Sequence, residues 1–118
     1  MAQTRVLVVD DDAEIATLLK NILDSEGFMV TIARGRAALV TAEHEHPAVI
    51  LLDVMMPDMD GETVARHLHA NPTTATIPIV TMTAGTQGRQ AMARMGAQAL
   101  LPKPFTIDDL LQTVGTYR

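Results

Sequence analysis

Five short apolar runs, each followed by a segment that can form a helix, constrain this chain more than any other feature. The runs are Arg5 to Val9, Phe28 to Ala33, Ala48 to Leu52, Ile77 to Met82 and Ala99 to Pro102. Arg5 to Val9 shows no alternation, the pattern of a strand covered on both faces, and Ala48 to Leu52 is continuously apolar. Between the runs lie helical stripes. Ile15, Leu18, Leu19, Ile22 and Leu23 recur on one face, with Asp12 as N-cap and Gly27 as the stop. Residues 35–45 carry a weaker stripe through Ala38, Leu39 and Ala42, ended by His46-Pro47, and Val64, Ala65 and Leu68 mark a third helix before Asn71-Pro72. The fourth spans Gln87 to Met95, with Gly85 and Gly88 giving it a poor start. The fifth runs through Ile107, Leu110, Leu111 and Val114, with Thr106 as N-cap.

Such alternation implies right-handed crossovers and a parallel sheet with helices on both faces. The expected fold is therefore α/β, a doubly wound five-stranded parallel sheet of flavodoxin-like order 2-1-3-4-5, in one domain over residues 1–118. Pro102 agrees with that order, because a proline inside a strand is tolerated mainly at a sheet edge. With aromatic residues at only 3%, aliphatic and methionine side chains must fill the core.

In an open parallel sheet, ligands bind at the carboxyl ends of the strands. Those ends carry Asp10-Asp11, Asp53, Thr83-Ala84 and Lys103-Pro104. A lone aspartate after a strand is ordinarily a turn or capping residue. Four reactive islands at one edge outweigh that reading. Clustered carboxylates repel by roughly 4 kcal/mol per pair at 4 Å and an effective dielectric near 20, so they require a counter-charge. Mg2+ suits one or two carboxylates, a carbonyl and several waters. Asp53, alone at the end of the central run, is the expected nucleophile toward phosphorus. Asp10 and Asp11 hold the metal, and Lys103 and Thr83 receive phosphoryl oxygens.

A net charge of −5 with nine scattered basic residues argues against a nucleic-acid surface. There is no cysteine, and no apolar stretch approaches the roughly 18 residues of a membrane span. No leader-like segment precedes the first run. A cytoplasmic protein without a membrane partner is expected. The histidine pairs 44/46 and 67/69 sit two apart and are expected at the surface, and the eight methionines serve mainly as core filler.

The runs Val6 to Asp11, Leu52 to Gly61, Met82-Thr83-Ala84 and Lys103-Pro104-Phe105 resemble the receiver domain of bacterial two-component response regulators, over essentially the whole chain. The resemblance implies that Asp53 accepts a phosphoryl group from a histidine kinase or histidine phosphotransfer protein. It also implies that Asp11, Asp53 and the Met55 backbone carbonyl contact Mg2+, with Asp10 helping through water, and that Lys103-Pro104 is cis. The chain would then be no enzyme beyond its own phosphorylation and dephosphorylation, and would switch a surface for a downstream protein target. In the family the hydroxyl at the Thr83 position moves toward the phosphoryl group, and an aromatic side chain three residues before the lysine turns inward.

Two departures stand out. Leu100 occupies the aromatic position, so the output elements Thr83, Leu100 and Pro104 are expected to couple atypically. The stretch from Thr83 to Lys103 is a little short for the family and carries Gly85 and Gly88, predicting a shortened or mobile fourth helix. Met55 and Gly85, two positions after Asp53 and Thr83, cannot orient water, which predicts a long-lived acyl phosphate. A monomer is expected, either as a stand-alone receiver or as a domain of a larger chain. Two rival readings remain: a receiver-like binding module that needs no phosphate, and a haloacid dehalogenase-type phosphatase with Asp10 as nucleophile and Asp12 as acid.

Overall fold

In a computed structural model that describes residues 3–56, 59–84 and 88–118, strands β1 (Arg5–Val9), β2 (Met29–Ala33), β3 (Val49–Asp53), β4 (Ile79–Ala84) and β5 (Ala99–Lys103) form one parallel sheet. Its order is β2-β1-β3-β4-β5. Helices α1 (Ala13–Ser25), α2 (Arg36–Glu45), α3 (Gly61–Ala70), α4 (Gly88–Met95) and α5 (Ile107–Gly115) supply the crossovers. The fold class, strand order and helix count follow the sequence pattern among the described residues. Pro57, Gly85 and Gln87, which figured in the expected loop and helix starts, lie outside them. No described helix is long and apolar enough to cross a membrane.

The continuous apolar runs feed two cores. Val6, Val8, Leu51, Met82 and Leu101 point to one face, against Leu19 and Leu23 of α1 and Leu110 and Val114 of α5. Leu7, Val9, Ile50, Leu52 and Ile79 point to the other, against Val64 and Leu68 of α3 and Met95 of α4. β1, β3 and β4 are buried nearly throughout and have no polar side to show, whereas the edge strands β2 and β5 are partly exposed. Truncating one such leucine to alanine costs about 2–5 kcal/mol, enough to threaten a marginally stable domain.

Several boundaries differ from the sequence reading. β4 begins at Ile79 and reaches Ala84, where the apolar run suggested Ile77 to Met82. Ile77 closes a turn onto the Thr74 carbonyl, and pairing starts only where the Pro78 carbonyl accepts from Ile50 N–H. At the far end the register Ala84↔Lys103 extends both strands, so Thr83 and Lys103 lie inside the sheet. Asp53 likewise closes β3. Leu18 and Ile107, placed on apolar stripes, are exposed, at 55% and 56%. The buried stripe of α1 is Ala16, Leu19 and Leu23, with Ile15 and Ile22 at its margin.

The caps are local and legible. Asp12 accepts from the Glu14 and Ile15 amides, and Thr106 forms a capping box with Asp109. Gly27 and the His46 cap adopt positive φ, as chain reversals at helix ends require. All four histidines are exposed, as expected. Of the methionines, Met56, Met82 and Met95 are core, whereas Met55 is 80% exposed and Met29 is also exposed, so filler describes only part of the set.

Among the described glycines, Gly61 makes the tightest backbone contact. A Cβ there would lie 2.5 Å from the Asp53 carbonyl oxygen and 2.9 Å from Val54 Cα, and neither can move without shifting β3. Gly61→Ala is expected to cost about 2 kcal/mol or more despite its better helix propensity. Urea unfolding checks this, and a variant as stable as wild type would show that the α3 entrance yields freely.

Candidate functional site

The parallel register brings the reactive side chains together. Val9 pairs with Leu52, Asp53 with Met82, and Ala84 with Lys103, so Asp10, Asp53, Thr83 and Lys103 all stand at the carboxyl edge. Lys103 Nζ lies 3.2 Å from Asp10 Oδ2 and 3.4 Å from Asp53 Oδ1. One ammonium thus serves two buried carboxylates. Asp10 is also bound by its own loop, since the Asp12 amide donates to its Oδ1 at 2.9 Å.

Burial pushes the Asp53 carboxyl above its ordinary range, and the negative charge of Asp10 pushes it further. Lys103, by charge and hydrogen bond, and the Met55 backbone N–H act in the opposite direction but do not cancel the effect. The pair therefore retains an excess of negative charge in a poorly solvated place. A hard divalent cation with oxygen ligands would relieve that excess, and Mg2+, which needs only one or two carboxylates and keeps several waters, fits the donors present.

Of the three carboxylates expected to hold a metal, Asp10 and Asp53 share Lys103, and Asp11 stands beside them with a different partner. Among the described residues, no three His, Cys, Asp or Glu side chains are arranged around a common metal position. Asp11 instead pairs with Arg34, Nη1 to Oδ1 at 3.4 Å, because β2 ends beside β1 and delivers a guanidinium to that corner. Arg34 escaped the sequence reading, although the edge rule that selected the other islands applies to the residue following Ala33. The Met55 side chain is solvent-exposed, leaving its backbone as the part that approaches Asp53.

Thr83 is buried, and its hydroxyl donates to the Ala84 carbonyl at 3.2 Å. Leu100, in the expected aromatic position, is partly buried in β5 and faces α4. A Cβ at Gly88 would lie 2.9 Å from Thr83 Cγ2 and 3.0 and 3.1 Å from the two Leu100 methyls. The missing side chain of Gly88 is what lets α4 rest on both. The described α4 has eight residues, fewer than any other described helix. The Lys103-Pro104 peptide is cis, as the resemblance implied. Asp12 is exposed and committed to capping α1, so it is poorly placed as the acid partner of a nucleophilic Asp10.

Two outcomes are expected. Because the folded state binds the Asp53 proton more readily than the unfolded chain, this carboxyl favours folding below its unfolded value near 3.8, and that contribution is lost as pH rises through the folded value. Asp53→Asn should therefore raise the thermal midpoint of metal-free protein at pH 7, with the gain shrinking as pH falls toward 3.8; a lower midpoint at pH 7 would contradict this. Gly88→Ala should destabilise by about 1 kcal/mol through overpacking, and adding Leu100→Ala should couple favourably with it. Strict additivity in urea unfolding would mean that α4 does not bear on Leu100.

Residues 6–115 match the family model described as the response regulator receiver domain. The chain is 46% identical over 110 residues to the response regulator PleD of Caulobacter vibrioides, covering 91% of this chain and 24% of PleD. It thus spans about a quarter of that relative, whereas it matches 92% of an uncharacterized 14.6 kDa protein of Leptolyngbya boryana at 37% identity, over 99% of its own length. Among solved structures, the chemotaxis protein CheY4 of Vibrio cholerae superposes with a TM-score of 0.91 at 32% identity, covering 99% of this chain and all of that one. The receiver domain of the sensor histidine kinase PA1611 from Pseudomonas aeruginosa, solved with magnesium coordinated in its active-site cleft, gives 0.89 at 28% identity, with 98% of each chain covered. The sheet order, the carboxylate pair joined by one lysine and the family match together place this chain among the response regulator receiver domains of two-component systems.

Proposed function

We propose that this chain is a single receiver domain over residues 1–118 that accepts a phosphoryl group on Asp53 in a Mg2+-dependent reaction. The observation that carries the reading is the Lys103 ammonium set 3.2 Å from Asp10 and 3.4 Å from Asp53. Asp53 is the acceptor, since it ends a central strand with its carboxylate at the sheet edge, beside the ammonium. A carboxylate oxygen of Asp53 forms a bond to phosphorus while the donor's P–N bond breaks, leaving an acyl phosphate on the protein and the electron pair on the departing imidazole. The donor is the phosphohistidine of a histidine kinase or phosphotransfer protein.

Asp10, Asp11, Asp53 and the Met55 carbonyl are the groups that would hold Mg2+, which when bound neutralises charge on the phosphoryl oxygens. Lys103 supplies a fixed positive charge to another phosphoryl oxygen, and phosphoryl transfer asks the protein for little more than positioning and such neutralisation. Thr83 turns its hydroxyl from the Ala84 carbonyl to the phosphoryl group. Its methyl borders the Gly88–Leu100 contact, so that motion is transmitted to α4 and β5. Leu100 and, beyond Lys103, Pro104 belong to the output face presented to a downstream protein. The domain acts as a cytoplasmic monomer without direct nucleic-acid or membrane contact, and its chemistry is limited to its own phosphorylation and dephosphorylation.

Incubation of the purified chain with a small phosphodonor and Mg2+, followed by peptide mapping, is expected to place one phosphoryl group on Asp53. Asp53→Asn or chelation of the metal should abolish it. Label on Asp10, or retention of label after chelation, would overturn the reading. Met55 has no group able to orient a hydrolytic water, so decay of the labelled protein should be slow for its class; rapid loss of label with Mg2+ present would refute that part.

A further inference from the structure

The corner of the site between β1 and β2 holds a cation of its own. Val9 and Ala33 are register partners, so the residues that follow them leave the sheet side by side. Arg34 thereby reaches Asp11, Nη1 to Oδ1 at 3.4 Å, and both line a cleft of about 250 Å³ together with Asp10. Asp10 is already engaged by Lys103 and by the Asp12 amide. Asp11 is thus the site carboxylate whose side-chain partner is a guanidinium rather than the ammonium of Lys103.

We propose that Arg34 is a resident counter-ion that competes with the divalent cation for Asp11, so that metal binding opens the Arg34–Asp11 pair. The inference rests on the magnesium-dependent reading above. A cation and a guanidinium cannot share one carboxylate oxygen without repelling each other, so each lowers the other's occupancy by the same factor. The pair is built to open. Arg34 is 65% exposed, and ion pairs so exposed to water are weak. In the metal-free domain the guanidinium offsets one of the edge carboxylates. In the loaded domain it swings into solvent, and the affinity for Mg2+ is set by that exchange.

Direct titration of the full chain with MgCl2 at constant ionic strength, followed by amide chemical shifts, tests this without any phosphorylation. Arg34→Gln should bind Mg2+ about two- to fivefold more tightly than wild type, whereas Arg34→Lys should stay near wild type. Asp11→Asn should weaken binding, and in that background Arg34→Gln should lose most of its effect, which distinguishes competition at Asp11 from a general change of charge. Equal or weaker binding by Arg34→Gln would overturn the proposal, as would a tightening of the same size with and without Asp11. Absence of Mg2+ binding in both wild type and Arg34→Gln would overturn the magnesium reading together with this one. Binding by wild type that Arg34→Gln leaves unchanged would overturn this one alone. Because Arg34 lies on the surface, the variants should fold, and an unchanged metal-free thermal midpoint confirms that the comparison is fair.

Discussion

Two buried carboxylates sharing one ammonium form the constraint on which the rest of this domain depends. Asp10 and Asp53 arrive from adjacent central strands, and strands deliver their ends to fixed positions that side-chain rotation cannot separate. The sheet therefore builds charge repulsion into its own edge. Lys103, from the far edge strand, reaches back to both and offsets much of it. Burial first, and the uncompensated charge of Asp10 second, keep the Asp53 carboxyl raised, a state that further positive charge would relieve. A fully compensated pair would be more stable and less able to take up a cation.

Much of this arrangement was legible in the sequence, and for a definite reason. The runs around Val8, Leu51 and Val80 are apolar on both faces, and their alternation with helical stripes points to a parallel sheet covered by helices. Once the sheet is parallel, all strand ends fall on one side, so Asp10, Asp53, Thr83 and Lys103 can be placed at one edge without any knowledge of side-chain contacts. Strand limits were less legible because hydrophobicity does not report pairing. Ile77 is apolar yet closes a turn, and Thr83 and Lys103 are polar yet lie within the ladder. Leu18 and Ile107 misled in the same way, since helical periodicity marks an apolar face but not which of its members a neighbour covers.

Charge partners across the fold were the least legible. Nothing local in Arg34 signals that it meets Asp11, 23 residues away, because the contact exists only once β2 lies beside β1. Gly88 is similar. Beside Gly85 it reads as a poor helix start, yet in the structure its missing Cβ admits Thr83 and Leu100 to the surface of α4. A leucine in place of an aromatic side chain changes what can be transmitted there. It has no ring to reorient about a fixed axis, and what joins Thr83, Leu100 and α4 in the structure is close packing at a glycine.

The Lys103–Asp10 bond spans 93 residues of sequence, and that distance orders the assembly of the site. The central pair β1 and β3 can form from the first half of the chain, bringing the two carboxylates together before their shared counter-charge has been synthesised. Contacts of such long separation close late, because the entropy of the intervening loop must be overcome first. A chain that lacks the β5 edge thus holds its two edge carboxylates without the ammonium they share. Pairing of β5 with β4 is what brings them that counter-charge.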